Sequence, residues 1–534
     1  MRESLLLFTI GPVKHFIEPS RKLKDLYAGS FLLSHLARVA AKHLKDLGAE
    51  IIIPSPNQAS SPNRIVAKVG SDCDQSKLVN STEQTVHECF MKICKKVIER
   101  ENTFTEEVED QLTGFLEINW VYEPIESDFK TSYQALMKHM HSVKNTRMFV
   151  QSFESAGRKC DLYEQYNALF TSKKAPKEEL QQAKLKKGEN LSAIAYVKRF
   201  LDTYFAEQDH YNLDVSSVAY MLLRSYFPPE VDLTDVKDEG SEALFDLKNG
   251  EDITNHPDYS TKTIKRATEL YKSYGEYIGS PYYAIVKLDG DGVGQKYKAV
   301  DRSEIAQSLS DEISRFAIDA KQLIEKNKGL CIFAGGEDIL AFLPLQTLFP
   351  TLKELVNRFA DIEGLDYKGT LSAGIIIAHY TAPLKPLLQQ VERLESHAKQ
   401  IDRDKAAFSM EIMRRGGLST PLRMKFGQKA ENLNIFENTL VAIQQQEHSN
   451  SFIQNVVAMI EPIQYTASRE MVSALIRKIL KNSVEKEKVE EQLNVFNELY
   501  EALSFHTEKF IRFLQQLAFL AKETFIEKEG KGQI

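Results

Sequence analysis

An α+β fold is what this sequence predicts: two β-α-β-β-α-β units, a mainly helical connector between them, and a helical C-terminal domain. Three observations carry that expectation. The order of apolar runs and amphipathic stretches over residues 5–121 recurs over residues 282–378. The stretch from 133 to 277 is rich in Lys and Glu with helical spacing, and the chain after residue 416 carries apolar residues at helical intervals. The corresponding division is 1–127, 128–277, 278–416 and 417–534.

In the first unit, residues 5–10 read as a strand broken by Gly11-Pro12, and 21–47 carry helical spacing through Leu26, Phe31, Leu33, Leu36 and Leu44. Residues 51–54 and 64–69 read as two strands joined by a Ser/Pro/Asn-rich loop, 83–100 as a helix and 114–121 as a fourth strand. The second unit repeats this with strands at 282–288, 330–334, 339–343 and 370–378 and helices at 303–326 and 352–362. This is the ferredoxin-like pattern, which also underlies polymerase and cyclase palms. The connector holds an acidic, turn-rich segment at 232–258. The C-terminal domain spaces Phe452, Val456 and Ile460, then Val472, Leu475 and Ile479, then Leu493, Phe496, Leu499 and Leu503, before a polar tail at 527–534.

Bulk properties exclude several classes. A length of 534 residues exceeds what one hydrophobic core serves, and 43% apolar with 27% charged residues is the composition of an ordinary globular protein, neither disordered nor membrane-embedded. The net charge of −7 argues against a uniformly basic nucleic-acid coat. Five cysteines supply neither a disulfide framework nor a four-ligand zinc spacing. No signal peptide opens the chain, and no run reaches the ~20 apolar residues of a membrane span. A cytoplasmic protein with no membrane partner is expected.

The chemistry concentrates in the second unit. Asp289-Gly290-Asp291-Gly292 sits where its first strand ends; glycines let backbone approach phosphate, and Asp289 and Asp291 offer hard oxygen ligands suited to Mg²⁺. Gly335-Gly336-Glu337-Asp338 falls at the tip of the 330–343 hairpin, which flanks that first strand. Glu337 and Asp338 are therefore expected beside Asp289, in a cluster that repels itself unless a divalent metal neutralises it. Lys399 and Arg403 follow the last strand four residues apart; on one helical face, they suit the β- and γ-phosphates of a nucleoside triphosphate.

These motifs, with Gly11-Pro12-Val13-Lys14-His15-Phe16-Ile17, the run from Arg21 to Ser30 and Pro62-Asn63-Arg64, resemble the large subunit of type III CRISPR effector complexes, the Cas-ten family in its Cmr subtype. The likeness covers nearly the whole chain. Glu337 departs from the family's usual Gly-Gly-Asp-Asp, and Asp402 replaces the Gly of the Ala-Lys-x-x-Gly-Arg element in related cyclases. The resemblance implies a catalytic palm at 278–416 and a degenerate palm at 1–127, whose hairpin carries Ser55, Pro56 and Asn57 and no carboxylate.

By that resemblance Asp289, Glu337 and Asp338 are catalytic and hold Mg²⁺ (or Mn²⁺), while Gly290, Asp291, Gly292, Gly335, Gly336, Lys399 and Arg403 bind nucleotide. ATP is the implied substrate, and cyclic oligoadenylate the implied product, made when guide RNA pairs with target RNA within a complex of other subunits. Two alternatives stay open: joining AMP to another acceptor such as S-adenosylmethionine, near Asp72, Asp74 and Glu154, or an inactive scaffold. The HD nuclease domain of many relatives is not found and none of the 12 His precedes Asp, so no DNase activity is expected. Zinc is not expected either, since the connector has a lone Cys160 where relatives carry Cys-x-x-Cys; a core position suits it better.

Overall fold

Strand β1 (Ser4–Gly11) is apolar at nearly every position because both its faces are covered: Leu6, Phe8 and Ile10 enter one core, and Leu5 and Leu7 another. The computed structural model describes residues 3–55, 62–126, 128–146, 154, 156–171, 185, 188–206, 215–237, 239–256, 259–414, 417–418, 420–445 and 449–524. Pro56 and Asn57, part of the acidic segment and the polar tail lie outside them.

The first sheet contains β1, β2 (Glu50–Ile53), β3 (Arg64–Val69) and β4 (Glu117–Pro124) in the order β2-β3-β1-β4, all antiparallel. Helices Leu23–Asp46 and Gln75–Glu99 join these strands and pack on the Leu6–Phe8–Ile10 face. The second helix starts earlier than its apolar spacing suggested, because Asp74 caps it, accepting from Lys77 N at 3.2 Å.

The connector contributes a two-stranded ribbon, β5 (Phe170–Thr171) with β6 (Asn190–Leu191), and helices that include Ala193–Phe205. Cys160 is buried in that core, its sulfur accepting from the Leu162 and Tyr163 backbone at 3.5 and 3.4 Å. Arg199 joins the connector to the first unit by a buried ion triad: its guanidinium lies 2.5 and 2.9 Å from Asp25 and 2.9 Å from Glu189.

The second sheet follows β7 (Tyr282–Asp291), β8 (Leu330–Gly335), β9 (Asp338–Pro344), β10 (Thr370–His379), β11 (Ala407–Arg414), β12 (Gly417–Leu418) and β13 (Leu422–Lys425). Its order is β12-β11-β10-β7-β9-β8, with β13 on β11. Helices Ser303–Lys326 and Leu348–Ala360 cover one face, and Leu384–Lys399 covers the other. Strands β11 to β13 were missed: β11 reads Ala-Phe-Ser-Met-Glu-Ile, in which Phe408, Met410 and Ile412 do alternate with smaller or polar residues, but it is buried on both faces and has little β-branched content. The all-helical part accordingly begins at Glu431, not 417.

The two units touch directly. Leu5, Leu7, Ile52 and Val66 share a core with helix Phe129–Asn145 and with Ile313 and Phe316 of the second unit. Ser55 N donates to Ser310 Oγ at 3.1 Å across that contact. Among the described residues no helix is long and apolar enough to cross a membrane.

Candidate active site

The β7–β9 ladder ends at Leu288 opposite Ile339, and the β8–β9 hairpin closes at Gly335 opposite Asp338. One step further along the register, Asp289 faces Asp338. Between the closing pair only Gly336 and Glu337 remain; Gly336 has φ +76° and Glu337 an ordinary negative φ, the pattern of a type II′ turn, which demands glycine at its first position.

Strand alternation then sorts the acids. Lys287, Asp289 and Asp291 point to the face covered by helix Leu384–Lys399, where Lys287 pairs with Glu392 at 3.0 Å and Lys399 bonds Asp289. Asp338 lies on that face too and shares a hydrogen bond with Asp289. Glu337 wraps over the tip to the opposite side of β7, against Gly290, in the electrostatic reach of Arg64, Tyr133 and Tyr297.

Burial, the hydrogen bond to Asp289 and the charges of Asp289 and Glu337 push the Asp338 carboxyl up to about 8. Burial also raises Glu337, with the Asp289 charge adding and Arg64 and Lys399 opposing. Crowded carboxyls in low dielectric respond in this way, the pair favouring a shared proton over two adjacent charges. Lys399 is shifted up: burial works against its charge, but its bonds to Asp289 and Glu395 outweigh it.

Asp291 does different work. Ser372 Oγ at 2.9 Å, Thr370 Oγ1 at 3.0 Å and Ala406 N at 3.2 Å all donate to it, and Lys405 Nζ stands 3.9 Å away. Only 6% of its side chain is exposed. It ties the end of β7 to β10 and to the entry of β11. Gly292, at φ +77°, turns the chain after it into a short helix.

The sequence expectation for Lys399 and Arg403 needs correction. Helix Leu384–Lys399 stops at Lys399, so the two are not on one helical face. Beyond it Asp402 holds the turn, accepting from Asp404 N at 2.9 Å and Lys425 Nζ at 2.6 Å, and Lys405 and Ala406 adopt φ +52° and +50° as the chain turns into β11. Arg403 is exposed on that turn, whereas Lys399 reaches Asp289. Asp72 and Asp74 are exposed around the cap of helix Gln75–Glu99, while Glu154 accepts from Gln111 at 2.6 Å and from Asn167 N. All three make local structural bonds.

Four residues beside the site were missed. Arg64, Tyr133 and Tyr297 approach it from other elements, which no local motif shows, and Lys405 is brought to Asp291 by the turn into β11. Among the described residues no three His, Cys, Asp or Glu side chains are grouped as a formed metal site. The donors themselves suit a hard cation: Asp289 and Asp338 present carboxyl oxygens side by side, and the Lys399 ammonium lies on Asp289. A cleft of about 660 Å³ opens alongside, between Lys14 and Glu392, Glu395 and His397.

Residues 282–407 match the model of Cas10/Cmr2, second palm domain, and residues 5–114 match that of CRISPR-associated protein Cmr2, N-terminal. Both matches are to models of one family, and over these two segments the chain is similar to Cas10/Cmr2. It is 27% identical over 200 residues to the CRISPR system Cmr subunit Cmr2 of Pyrococcus furiosus, covering 31% of this chain and 22% of that one. To the Cmr2 subunit of Saccharolobus solfataricus it is 30% identical over 125 residues, covering 20% and 12%. The chain therefore aligns with about a fifth or less of the length of these curated relatives.

Its fold is shared with a chain of the type III-B Cmr-beta complex bound to cognate target RNA, with TM-score 0.65 and 15% identity over 91% of this chain and 79% of that one. A chain of a Csm1-Csm4 cassette in complex with cA4 has TM-score 0.51 and 13% identity over 96% and 70%. The segment that matches the second palm domain carries Asp289, Glu337 and Asp338, and it is a palm-type α+β domain with helical regions around it.

Proposed function

We propose that this chain is the cytoplasmic large subunit of a type III CRISPR RNA-guided effector complex and a nucleotidyltransferase that makes a second messenger from ATP. The observation that carries the reading is the meeting of Asp289 and Asp338 at a strand end, with Lys399 on Asp289, inside the segment that matches the family's second palm. Stability alone offers no reason to bury two acids against each other.

In this reading residues 278–416 form the catalytic palm and 1–127 a degenerate palm that holds a second nucleotide. Residues 128–277 connect them, and the helices of 417–534 serve contacts with other subunits, guide RNA and target RNA. Asp289, Asp338 and, from the other side of β7, Glu337 hold one or two Mg²⁺ (or Mn²⁺) ions. When bound, the ions neutralise phosphate charge and acidify the attacking hydroxyl. Gly290, Gly292, Gly335 and Gly336 keep the backbone low beside the phosphates. Asp291 fixes the strand end, Lys399 steadies the triphosphate, and Arg403 meets its outer end from the exposed turn.

A 3′-hydroxyl of the second nucleotide attacks the α-phosphorus of ATP; the new P–O bond forms as the bond to the bridging oxygen breaks, and pyrophosphate leaves. Repetition and closure on the first nucleotide give cyclic oligoadenylate. The complex assembled with target RNA, ATP and Mg²⁺ is expected to release pyrophosphate, and E337A/D338A to abolish release with assembly intact. Undiminished release by that variant refutes the assignment. Mass spectrometry of the product separates cyclic oligoadenylate from AMP joined to another acceptor, such as S-adenosylmethionine, and absence of any product leaves a scaffold.

A further inference from the structure

Lys399 stands between two carboxylates that are not equivalent. Its ammonium is hydrogen-bonded to Asp289, and it also lies 2.5 Å from Glu395 Oε1, one helical turn back. Glu395 is 7% exposed, and its Oε1 is buried without an aligned hydrogen bond. A buried carboxylate in that position is costly unless a cation offsets it, so the ammonium holds Glu395 as firmly as Glu395 holds the ammonium.

Backbone geometry presses this pair onto the site. A Cβ at Gly374 would stand 2.5 Å from Glu395 N, so helix Leu384–Lys399 rests directly on β10. Two residues away on β10, Ser372 is the register partner of Asp289. Glu395 is therefore seated in the layer that covers Asp289, with Lys399 between them.

The Lys399 ammonium is the counter-charge of a carboxyl that the proposed function gives to a divalent cation. Ammonium and cation compete for it, and Glu395 is the anion to which the ammonium can retire. We propose that Glu395 is a positioning residue that receives Lys399 when a divalent cation takes Asp289, and so sets cation affinity and the point from which the ammonium meets the triphosphate. This rests on the nucleotidyltransferase reading.

The test is Mn²⁺ binding to the full chain, followed by the electron paramagnetic resonance of free Mn²⁺, in wild type, E395Q, K399M and the double variant. A general loss of negative charge would weaken binding equally in both backgrounds. Action through Lys399 would not. E395Q is expected to raise the Kd for Mn²⁺ about tenfold where Lys399 is present, and by less than about twofold in the K399M background. In pyrophosphate release by the assembled complex, E395Q is expected to raise the KM for ATP while leaving kcat at saturating Mg²⁺ within about threefold.

An unchanged Kd in E395Q, or the same loss in both backgrounds, overturns the proposal. Wild type that binds no Mn²⁺ overturns the nucleotidyltransferase reading itself, so the two failures are distinct. Thermal melting checks the fold of each variant. If E395Q does not fold, E395D, which keeps the charge on a shorter side chain, is expected to bind Mn²⁺ within about threefold of wild type, and a folded E395D that does not overturns the proposal.

Discussion

Gly290 and Glu337 are packed so closely that a Cβ on the glycine would stand 2.7 Å from the Glu337 Cβ, and 2.8 Å from both Phe359 Cζ and Val293 Cγ2. The hairpin tip can fold over β7 only because that strand is bare at this point. Glu337 therefore depends on a glycine in another motif.

Gly290→Ala is accordingly expected to destabilise the fold by about 1–3 kcal/mol, the usual cost of overpacking, and to push the 335–338 turn away from β7. Denaturant unfolding measures the first effect. Pyrophosphate release by the assembled complex measures the second, with a loss well beyond what the stability change accounts for.

Asp338 makes stability depend on pH. Its carboxyl is lifted from the ordinary 3.8 to about 8 in the folded chain, so between those values the native state binds a proton that the unfolded chain has released. This contribution is fully present below the unfolded value and is lost as pH rises through the folded one. Asp338→Asn, which cannot titrate, is expected to flatten the decline in melting temperature from pH 4 to 8 relative to wild type. Millimolar Mn²⁺ is expected to flatten it as well, by favouring the ionised carboxyl. Identical slopes in wild type and variant would contradict the shift.

Lys399 and Arg403 are expected to separate in kinetics. Lys399 is half-buried on Asp289, whereas Arg403 is exposed on a turn. Arg403→Ala is expected to raise the KM for ATP by only about two- to fivefold, the scale of a solvent-screened contact. Lys399→Ala is expected to lower kcat/KM by about a hundredfold, as a buried charged partner of the reacting phosphates does. Steady-state pyrophosphate release at several ATP concentrations reads both.

Away from the site, Arg199 tests how the connector is held. Removing it leaves Asp25 and Glu189 buried together without a cation, and Arg199→Ala is expected to cost about 3–5 kcal/mol. Urea unfolding gives the number. Hydrogen exchange should show the loss first in helices Leu23–Asp46 and Ala193–Phe205, which the triad joins.

What the sequence by itself determined is local and periodic. The order of strands and helices in both units follows from apolar spacing, and the positions of Asp289 at a strand end and Gly336-Glu337 in a two-residue turn follow from glycine and hairpin rules that need only neighbouring residues. Tertiary structure decided whatever depends on residues far apart in the chain. The register of β7 on β9 set Asp289 against Asp338 and sent Glu337 to the other face. The close approach of helix Leu384–Lys399 to Gly374 aimed Lys399 at Asp289, and the helix ended there, leaving Arg403 on the turn that Asp402 holds. Strand β11 exists because β10 offers it a parallel edge and two covering layers, and Arg64 nears Glu337 because two sheets share one core. Side-chain period and turn chemistry are properties of a few consecutive residues, whereas charge pairing and burial are properties of the packed whole.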